Sequence, residues 1–585
     1  MSFKRGLSRE EIDALLDLSS SDSDDDSEAG DWEQLLTDLD TSTSSEEESD
    51  DSKPVRANGA STSSGARTPS RTSTARKDIT AWIADKDNDY AGKPPDFLGE
   101  HRVNVHGALP IDYFLAVFPD SLLEHIVFQT NLYAVQKGKE NLRLTLPELK
   151  VFLGMCLVMT YIKYPRIRNY WSTESGLRMD IVANSMPVNR FEELRRFLHF
   201  KDNSDTLSFQ NDRVAGMRPV IDALNEAFCS AVDCEEYQSV DEMVIPFKGR
   251  SSIKQYLPSK PKRWGFKVWV RAGVSGYIYR FEVYQGATGG RSNVSSEFGM
   301  AGDVVIRLSQ GLEGKNHKLY ADNFFTSMAL VRKLRDDGIL FVGTCRANRL
   351  QGADKKLKPL KELKADGRGS TSICTSGDNI TVTRWLDNSL VHVVSSYAGR
   401  QPEGTTRRYN RKERKVIDVT RPYSVEVYNK HMGGVDLMDS LIARYRNDVR
   451  NKRGYLRMFF HLLNAAVVNA WIVWRWDKGA EHYMDQLEFR SRVAKALIFR
   501  GEAAQSSKRR GRPSNDSSPA LIKKRVLHHV PLEKRFDGGR HFPKKSEQKY
   551  ASRCRSLACR SKTRYLCGRC NVPLCPECFQ SFHSA

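Results

Sequence analysis

Two aspartates stand in apolar strand-like segments, where a carboxylate is unusual. Asp241 lies in SVDEMVIPFKGR, whose alternation predicts a strand with the Asp241 side chain facing away from Val240 and Glu242. Asp322 ends the short apolar run of HKLYADNFFTS, and strand ends are common places for functional sites. Carboxylate oxygens are the ligands that Mg²⁺ prefers, and a pair of such ions supports transfer at a phosphodiester.

A third acidic motif, YNKHMGGVDLMDSLIARYR, adds two more aspartates. Asp436 and Asp439 are three residues apart, so a helix that begins after Gly433 and Gly434 carries both on one face. Taken one at a time, each aspartate also fits a strand-end cap or a solvated helix charge. Taken as a set, they predict carboxylates that converge on divalent cations.

The C-terminal segment carries a second kind of ligand set. Six of the 11 cysteines fall between Cys554 and Cys578, which favours metal over disulfides. Cysteine and histidine bind Zn²⁺ in groups of four, so eight ligands predict two zinc ions. The expected ligands are Cys554, Cys559, Cys567, Cys570, Cys575, Cys578, His583 and His541. The pairing of these ligands stays open, and reduced cysteines without metal are the alternative.

The elements that must position the aspartates follow from periodicity. Residues 105–230 have helical spacing, as in Phe191, Leu194 and Leu198, and Thr145 begins a capped helix. Residues 236–345 are rich in Val, Ile and aromatics and predict a sheet. Residues 350–418 mix charged loops with short strands, and helices resume near Val425. The first two aspartates therefore belong to strands and the last two to a helix.

One apolar run, Met458–Trp476, is long enough to raise the question of a membrane span. His461, Asn464 and Asn469 interrupt it, and these polar groups would need partners in hydrocarbon. The N-terminus has no apolar signal region. We therefore expect a buried helix and no membrane.

The charge distribution favours a polyanionic partner. Residues 1–52 hold 18 Asp and Glu against three Lys and Arg, so the rest of the +19 chain carries about +34. Such an excess suits nucleic acid, because each neutralised phosphate releases counterions. Ribosomal and membrane-surface proteins share this property. The Ser-rich acidic tail fits a target of acidophilic kinases or a simple solubilising tail.

A basic segment precedes the cysteines. Arg510 and Arg512 in KRRGRPS match the core of an AT-hook, in which two arginines enter a narrow A·T minor groove. The same charges, with KKR at 523–525, also form a nuclear-import signal. We expect a nuclear protein, with an import receptor among its partners.

The three acidic motifs resemble, in their order and intervals, the catalytic segments of piggyBac-family transposases. The similarity spans roughly residues 105–585, including the helix RMFFHLLNAAVVNAWIVW and the Cys-rich end. The resemblance implies that Asp241, Asp322 and Asp436 hold two Mg²⁺ or Mn²⁺ ions on an RNase H-like core. It gives Asp439 a supporting role.

The resemblance also implies a reaction and its partners. A family member binds the terminal inverted repeats of a transposon in double-stranded DNA, excises the element through hairpin ends and inserts it at TTAA sites. Two ends must be cut together, so a homodimer is expected. The cysteine-rich domain would recognise the ends in an interleaved arrangement. Where many relatives carry Trp after Arg453, this chain has Gly454 and Tyr455, and Tyr455 is a candidate DNA contact by stacking.

The fold class implied is α/β multidomain. An RNase H-like catalytic core with a β-rich insertion is flanked by a helical dimerisation and DNA-binding domain, with a C-terminal zinc domain and a disordered acidic N-terminus. The expected boundaries are 1–100 for the tail, 101–235 and 443–502 for the helical domain, 236–348 and 419–442 for the core, 349–418 for the insertion, 503–538 for the basic linker and 539–585 for the zinc domain.

Three functions remain open on the sequence. The first is an active transposase, and the second is a domesticated DNA-binding protein that keeps the scaffold without transposition. The third is a zinc-dependent interaction module with a degenerate core. The presence of all three aspartates favours the first, because loss of selection for cleavage would tolerate changes at these positions.

Overall fold

The structure, a computed structural model, describes residues 81–83, 89–174, 176–205, 212–258, 260, 262–286, 297–411, 413–447, 452–506, 535–536, 540–548, 550–556 and 559–584. The chain divides into two compact units, Met1–Arg509 and Arg510–Ala585. Most of the acidic tail and the AT-hook-like arginines Arg510 and Arg512 lie outside the described residues.

Helices open the first unit, as their spacing predicts. They are α1 (Pro110–Val117), α2 (Asp120–Gln136), α3 (Leu146–Tyr161), α4 (Asp180–Ala183), α5 (Val188–Phe197) and α6 (Arg218–Ala231). The side chain of Thr145 accepts a hydrogen bond from the Glu148 amide at 3.4 Å, so the predicted N-cap of α3 is confirmed. Phe191, Leu194 and Leu198 are buried in the helical core.

A ten-stranded sheet follows. Its strands are β1 (Trp82–Ile83), β2 (Tyr237–Pro246), β3 (Gln255–Tyr256), β4 (Trp264–Gly273), β5 (Ile278–Val283), β6 (His317–Ala321), β7 (Ile339–Thr344), β8 (Thr371–Ser376), β9 (Thr381–Leu386) and β10 (Leu390–Ser395). In the order β5-β4-β2-β6-β7, strands β6 and β7 run parallel to β2, and β4 and β5 are antiparallel neighbours. Helices α7 (Gly299–Leu308), α8 (Met328–Asp336) and α9 (Leu360–Asp366) lie between strands along the chain.

Two segments differ from what their composition suggested. Residues 371–395, expected in an insertion, extend the same sheet, because β10 pairs with β7. Trp82 and Ile83, placed in the acidic tail, form the edge strand against β8. Trp82 is buried and its indole donates to the Gln351 carbonyl at 3.0 Å, so order begins before the predicted boundary at 100.

A two-stranded ribbon and four helices complete the first unit. They are β11 (Gly404–Asn410) and β12 (Lys415–Arg421), then α10 (Tyr423–His431), α11 (Gly434–Arg444), α12 (Gly454–Lys478) and α13 (Gln486–Ser506). By length and composition α12 passes as a membrane span, but 94% of its most apolar window is buried inside the fold. Two of the polar side chains that interrupt the apolar run have partners: Asn464 accepts from Arg490 at 2.7 Å, and Asn469 bonds the Ile278 backbone. This fits the predicted buried helix.

The second unit is small and organised around cysteines. Its elements are β13 (Pro543–Lys545), β14 (Ser552–Arg553), β15 (Lys562–Thr563), β16 (Tyr565–Cys567) and α14 (Pro576–His583). Strand β13 pairs with β16 and β14 with β15. Its core holds Val572 and Leu574 together with buried cysteines, so apolar burial alone is small.

Candidate active site and candidate metal centres

Strand β2 carries Asp241 at the centre of the sheet. Met243 and Ile245, on the same side of the strand, pack in the core with the helices, whereas Val240 packs in the core on the other side. Asp241 is partly buried, and its carboxylate accepts the Glu242 amide at 2.7 Å. The sequence prediction that Asp241 faces away from Val240 is therefore confirmed.

Asp322 lies one residue beyond the neighbouring strand. Val240 of β2 is level with Ala321 of β6 in the parallel pairing, so Asp322 follows directly at the end of β6. Its carboxylate accepts the Phe324 amide at 3.0 Å, which fixes the turn. Arg349 holds the same turn by donating to the carbonyls of Asn323 and Phe324, each at 3.0 Å.

Helix α11 supplies the third and fourth carboxylates. Asp436 is in its first turn, where the helix dipole favours an anion, and Asp439 is one turn later. The helix begins against the sheet at Gly434, where a Cβ would lie 2.3 Å from the Gly273 carbonyl oxygen and 2.9 Å from the Ser239 hydroxyl. A side chain here would push α11 away from β2 and β4.

The four carboxylates form one electrostatic group, which we call the acidic cluster: Asp241, Asp322, Asp436 and Asp439. The pKa of Asp241 is raised to about 8, chiefly by burial; Lys260 opposes the rise, and Asp436 and Asp322 contribute to it. Burial also raises the pKa of Asp322 and of Asp439, and Asp436 adds to the rise at Asp439. Carboxylates from three separate segments therefore repel one another in a shared, poorly solvated space.

Basic groups partly balance this charge. Burial lowers the pKa of Lys260, but Asp241, Asp436 and other carboxylates outweigh that effect, so it is raised overall. Arg446 lies 3.8 Å from Asp439, and Lys267 pairs with Glu242 beside Asp322. The sequence did not single out Lys260, Arg446 or Arg349 as parts of this site, because isolated basic residues in a basic chain carry no distinctive signal.

Tyr428 of α10 is a further neighbour that the sequence did not indicate. Burial raises the pKa of its phenol, with Asp322, Asp241 and Asp436 contributing, and its hydroxyl is hydrogen-bonded to Thr344. A neutral hydroxyl group therefore borders the acidic cluster on the side of β7.

The eight predicted Cys and His ligands gather as two groups of four in the second unit. One group is His541, Cys567, Cys570 and His583, and the other is Cys554, Cys559, Cys575 and Cys578. Within each group the ligand atoms lie within 4.8 Å of one another. The two groups alternate along the chain, so the pairing that the sequence left open is interleaved. Among the described residues, only these two groups bring three or more such ligand atoms within 4.8 Å of one another, so the carboxylate oxygens of the acidic cluster are spaced more widely.

Tyr455, the candidate DNA contact, lies at the start of α12. Its ring packs against His199 and Phe200, with centroids 5.7 and 6.0 Å away, and its hydroxyl accepts from Arg453 at 3.1 Å. A Cβ on Gly454 would lie 2.8 Å from the Phe266 ring, so glycine suits this position. The stacking role of Tyr455 stays a prediction.

Comparisons with known proteins connect this arrangement to a family. The family model described as Transposase IS4 matches residues 109–471, which include all four aspartates. Human PiggyBac transposable element-derived protein 3 is 32% identical over 496 residues, 84% of this chain and 78% of the relative. This chain belongs to the piggyBac transposase family.

Other relatives agree with this membership. Human PiggyBac transposable element-derived protein 2 is 31% identical over 478 residues, 81% of this chain and 76% of that protein. The cryo-EM structure of a piggyBac transposase synaptic complex with hairpin DNA superimposes with a TM-score of 0.59. That match covers 80% of this chain and 97% of the other at 20% identity, so this piggyBac relative shares the fold.

Proposed function

We propose that this piggyBac-family protein is a cut-and-paste DNA transposase. It binds the terminal inverted repeats of a transposon, excises the element through hairpin ends and inserts it at TTAA sites. The observation that carries the proposal is the acidic cluster: Asp241, Asp322 and Asp436 come from two strands and a helix and meet in one electrostatic group. A chain of this family without cleavage has no need to keep three mutually repelling carboxylates together.

The sheet topology supports an RNase H-like catalytic core. The order β5-β4-β2-β6-β7, with β6 and β7 parallel to β2 and with β4 and β5 antiparallel, is the strand arrangement of that fold. In it the first two acidic residues belong to the first and fourth strands of the core; here Asp241 lies on β2 and Asp322 directly follows β6. The domain boundaries expected from sequence stay part of this proposal.

Asp241, Asp322 and Asp436 are the residues that would hold two Mg²⁺ or Mn²⁺ ions. These side chains suit such ions, because carboxylates are hard oxygen ligands. Carboxylates that raise one another's pKa by repulsion are stabilised in their charged form by a nearby cation. When bound, such ions activate the attacking water or 3′-OH and stabilise the leaving oxygen. Gly434 and the amide of Phe324 orient the carboxylates, and Arg446 holds Asp439 beside them.

The second unit would hold two zinc ions through its two groups of four ligands. Thiolate and imidazole ligands in fours are the donor set of structural zinc, and the small apolar core needs such support. We assign this unit to recognition of the transposon ends. A homodimer, a nuclear location, an import receptor and DNA contacts by Arg510, Arg512 and Tyr455 stay predictions.

A plasmid excision assay tests the proposal. The donor plasmid carries the element's own terminal repeats, and the wild type is compared with Asp241→Asn and Asp322→Asn. A surface carboxylate on the same unit, Asp180→Asn, is the matched control. We expect excision by the wild type and Asp180→Asn, and background levels from the other two. If all four proteins bind the repeats but give the same background, the domesticated DNA-binding protein is the correct description.

A further inference from the structure

The β11–β12 ribbon is an exposed arm with a fixed base. Asp387 accepts from Arg368 at 2.6 Å and from Arg408, which lies on β11 toward the tip of the ribbon, at 2.9 Å. The Trp385 indole donates to the Thr420 carbonyl at 2.8 Å, and Val419 is buried beneath. These contacts attach the ribbon to β9 and to the turn that follows β9.

One face of the ribbon carries an unusual exposed pair. Tyr409 and Val416 are directly opposite each other across the two strands and are 58% and 51% exposed. A cross-strand aromatic and β-branched pair normally packs against something. Next to it on the same face, Arg407 is opposite Asp418.

Arginines surround this pair. Arg407, Arg411 and Arg414 are exposed, and in the described part of the chain no ion pair includes them. Lys415 at the end is paired with Glu413 at 2.7 Å. Three exposed guanidinium groups around a tyrosine form a surface suited to phosphate oxygens and to the apolar parts of nucleotides.

We propose that the arginine face of the ribbon (Arg407, Tyr409, Arg411, Arg414 and Val416) is a second DNA-contact surface, separate from the acidic cluster. A two-stranded antiparallel ribbon fits the major groove of B-DNA, and arginine is the side chain that pairs best with phosphate and guanine there. The inference rests on the proposed function only in taking duplex DNA as the partner. The acidic residues 1–52 of this chain are the competing occupant.

The test measures affinity of the full-length protein for a mixed-sequence duplex of three helical turns, about 30 base pairs. Arg407→Gln, Arg411→Gln and Arg414→Gln are combined. The control combines Lys355→Gln, Lys361→Gln and Lys364→Gln, which removes the same charge from exposed positions at and near α9. We expect the ribbon variant to raise Kd by at least about tenfold and to lower the salt slope by about 2 to 3, because three phosphate contacts are lost.

Tyr409 gives an independent readout. Tyr409→Ala removes apolar contact without changing charge, so Kd rises while the salt slope stays constant; Tyr409→Phe keeps wild-type affinity. Equal losses in the ribbon and lysine variants overturn the proposal. It is also overturned if the ribbon variant keeps duplex binding but no longer binds a synthetic peptide of residues 1–52.

Failure of the proposed function is distinguishable from failure of this surface. The ribbon substitutions are repeated in an Asp241→Asn background, where cleavage is absent by design. The same loss of duplex affinity there supports the ribbon contact whatever the excision assay shows. Thermal midpoints matching the wild type confirm that the ribbon variants are folded.

Discussion

Gly434 and Gly273 touch: a Cβ on Gly434 would come 2.3 Å from the Gly273 carbonyl oxygen. This contact with β4, together with the Ser239 hydroxyl of the adjacent β2, sets how closely α11 packs on the sheet and so the distance between Asp436 and Asp241. Gly434→Ala must move the helix outward, and overpacking of this kind costs about 1 to 3 kcal/mol. We expect strand cleavage to fall by about a hundredfold with the aspartates intact, since small misplacements of reacting groups have effects of that size.

The neighbouring glycine is the control. A Cβ on Gly433 meets nothing within 4 Å and its φ is −75°, so Gly433→Ala fits without strain. Cleavage rates of the two alanine variants on one oligonucleotide substrate check the prediction. Equal rates would show that the α11 contact does not position the site.

Asp241 is predicted to destabilise the protein when no divalent ion is bound. Because burial raises the pKa of its carboxyl group from 3.8 to about 8, the stabilisation by the protonated form is complete below about pH 4 and is lost progressively as pH rises to about 8. Asp241→Asn should therefore raise the thermal midpoint of metal-free protein at pH 8 by a few degrees, and the gain should vanish near pH 4. Cleavage is lost in the same variant.

Glu242→Gln, at the adjacent position, is the control for the stability gain expected of Asp241→Asn. Glu242 is paired with Lys267, so neutralising it removes an attraction and should not stabilise. Thermal melts of both variants with and without Ca²⁺ measure the difference. A gain for Asp241→Asn that persists unchanged in Ca²⁺ contradicts cation binding at this cluster.

Zinc content is predicted to depend on both groups of ligands. Elemental analysis of the wild type should give close to two zinc per chain, one for each group of four. Cys570→Ser and Cys559→Ser each break one group and should leave one zinc or less. Cys229→Ser, which changes a cysteine of the first unit whose sulfur donates to the Tyr279 carbonyl, should keep both ions. One zinc or none in the wild type would refute the two-site assignment.

Glu235 gives the fold a pH dependence that is separate from that of the acidic cluster. Its buried carboxyl receives hydrogen bonds from Ser275 and Tyr279, yet burial dominates and raises its pKa from 4.5 to about 7. The stabilisation by the protonated form is complete below pH 4.5 and is lost as pH rises through 7. Glu235→Gln should reduce this decline, by an amount on the order of 3 kcal/mol at most.

The measurement is the denaturant midpoint from pH 5 to 9. The wild type should weaken across this window relative to Glu235→Gln, and parallel curves would contradict the raised pKa. Asp303→Asn, a polar position on α7, controls for the loss of one negative charge.

The elements that carry the aspartates were predictable, because apolar residues recur with a different period in strands and in helices. The apolar segments around Asp241 and Asp322 indicated strands. The three-residue spacing between Asp436 and Asp439 indicated that both lie on one face of a helix. The sequence could not show that Lys260 and Arg446 balance their charge. Those contacts depend on how separate segments of the chain pack together, and local sequence patterns do not predict such packing.

For the zinc domain, the identity of the candidate ligands was predictable from the sequence, but their pairing was not. Ligand types and spacing indicated eight donors, including His541, but pairing depends on which chain segments cross. The segment 349–418 shows a further limit. Its short strands were recognisable, but their joining of the main sheet through β10 and β7 is a long-range pairing without a local signal.

The order of the acidic residues along the chain has a consequence during synthesis. Asp241 and Asp322 leave the ribosome well before Asp436, with strands β7 to β12 and α10 in between. A prematurely terminated product that ends between Asp322 and α11 carries two of the three principal carboxylates and none from the helix. Translation errors upstream of Asp436 thus yield fragments without the complete set of acidic ligands.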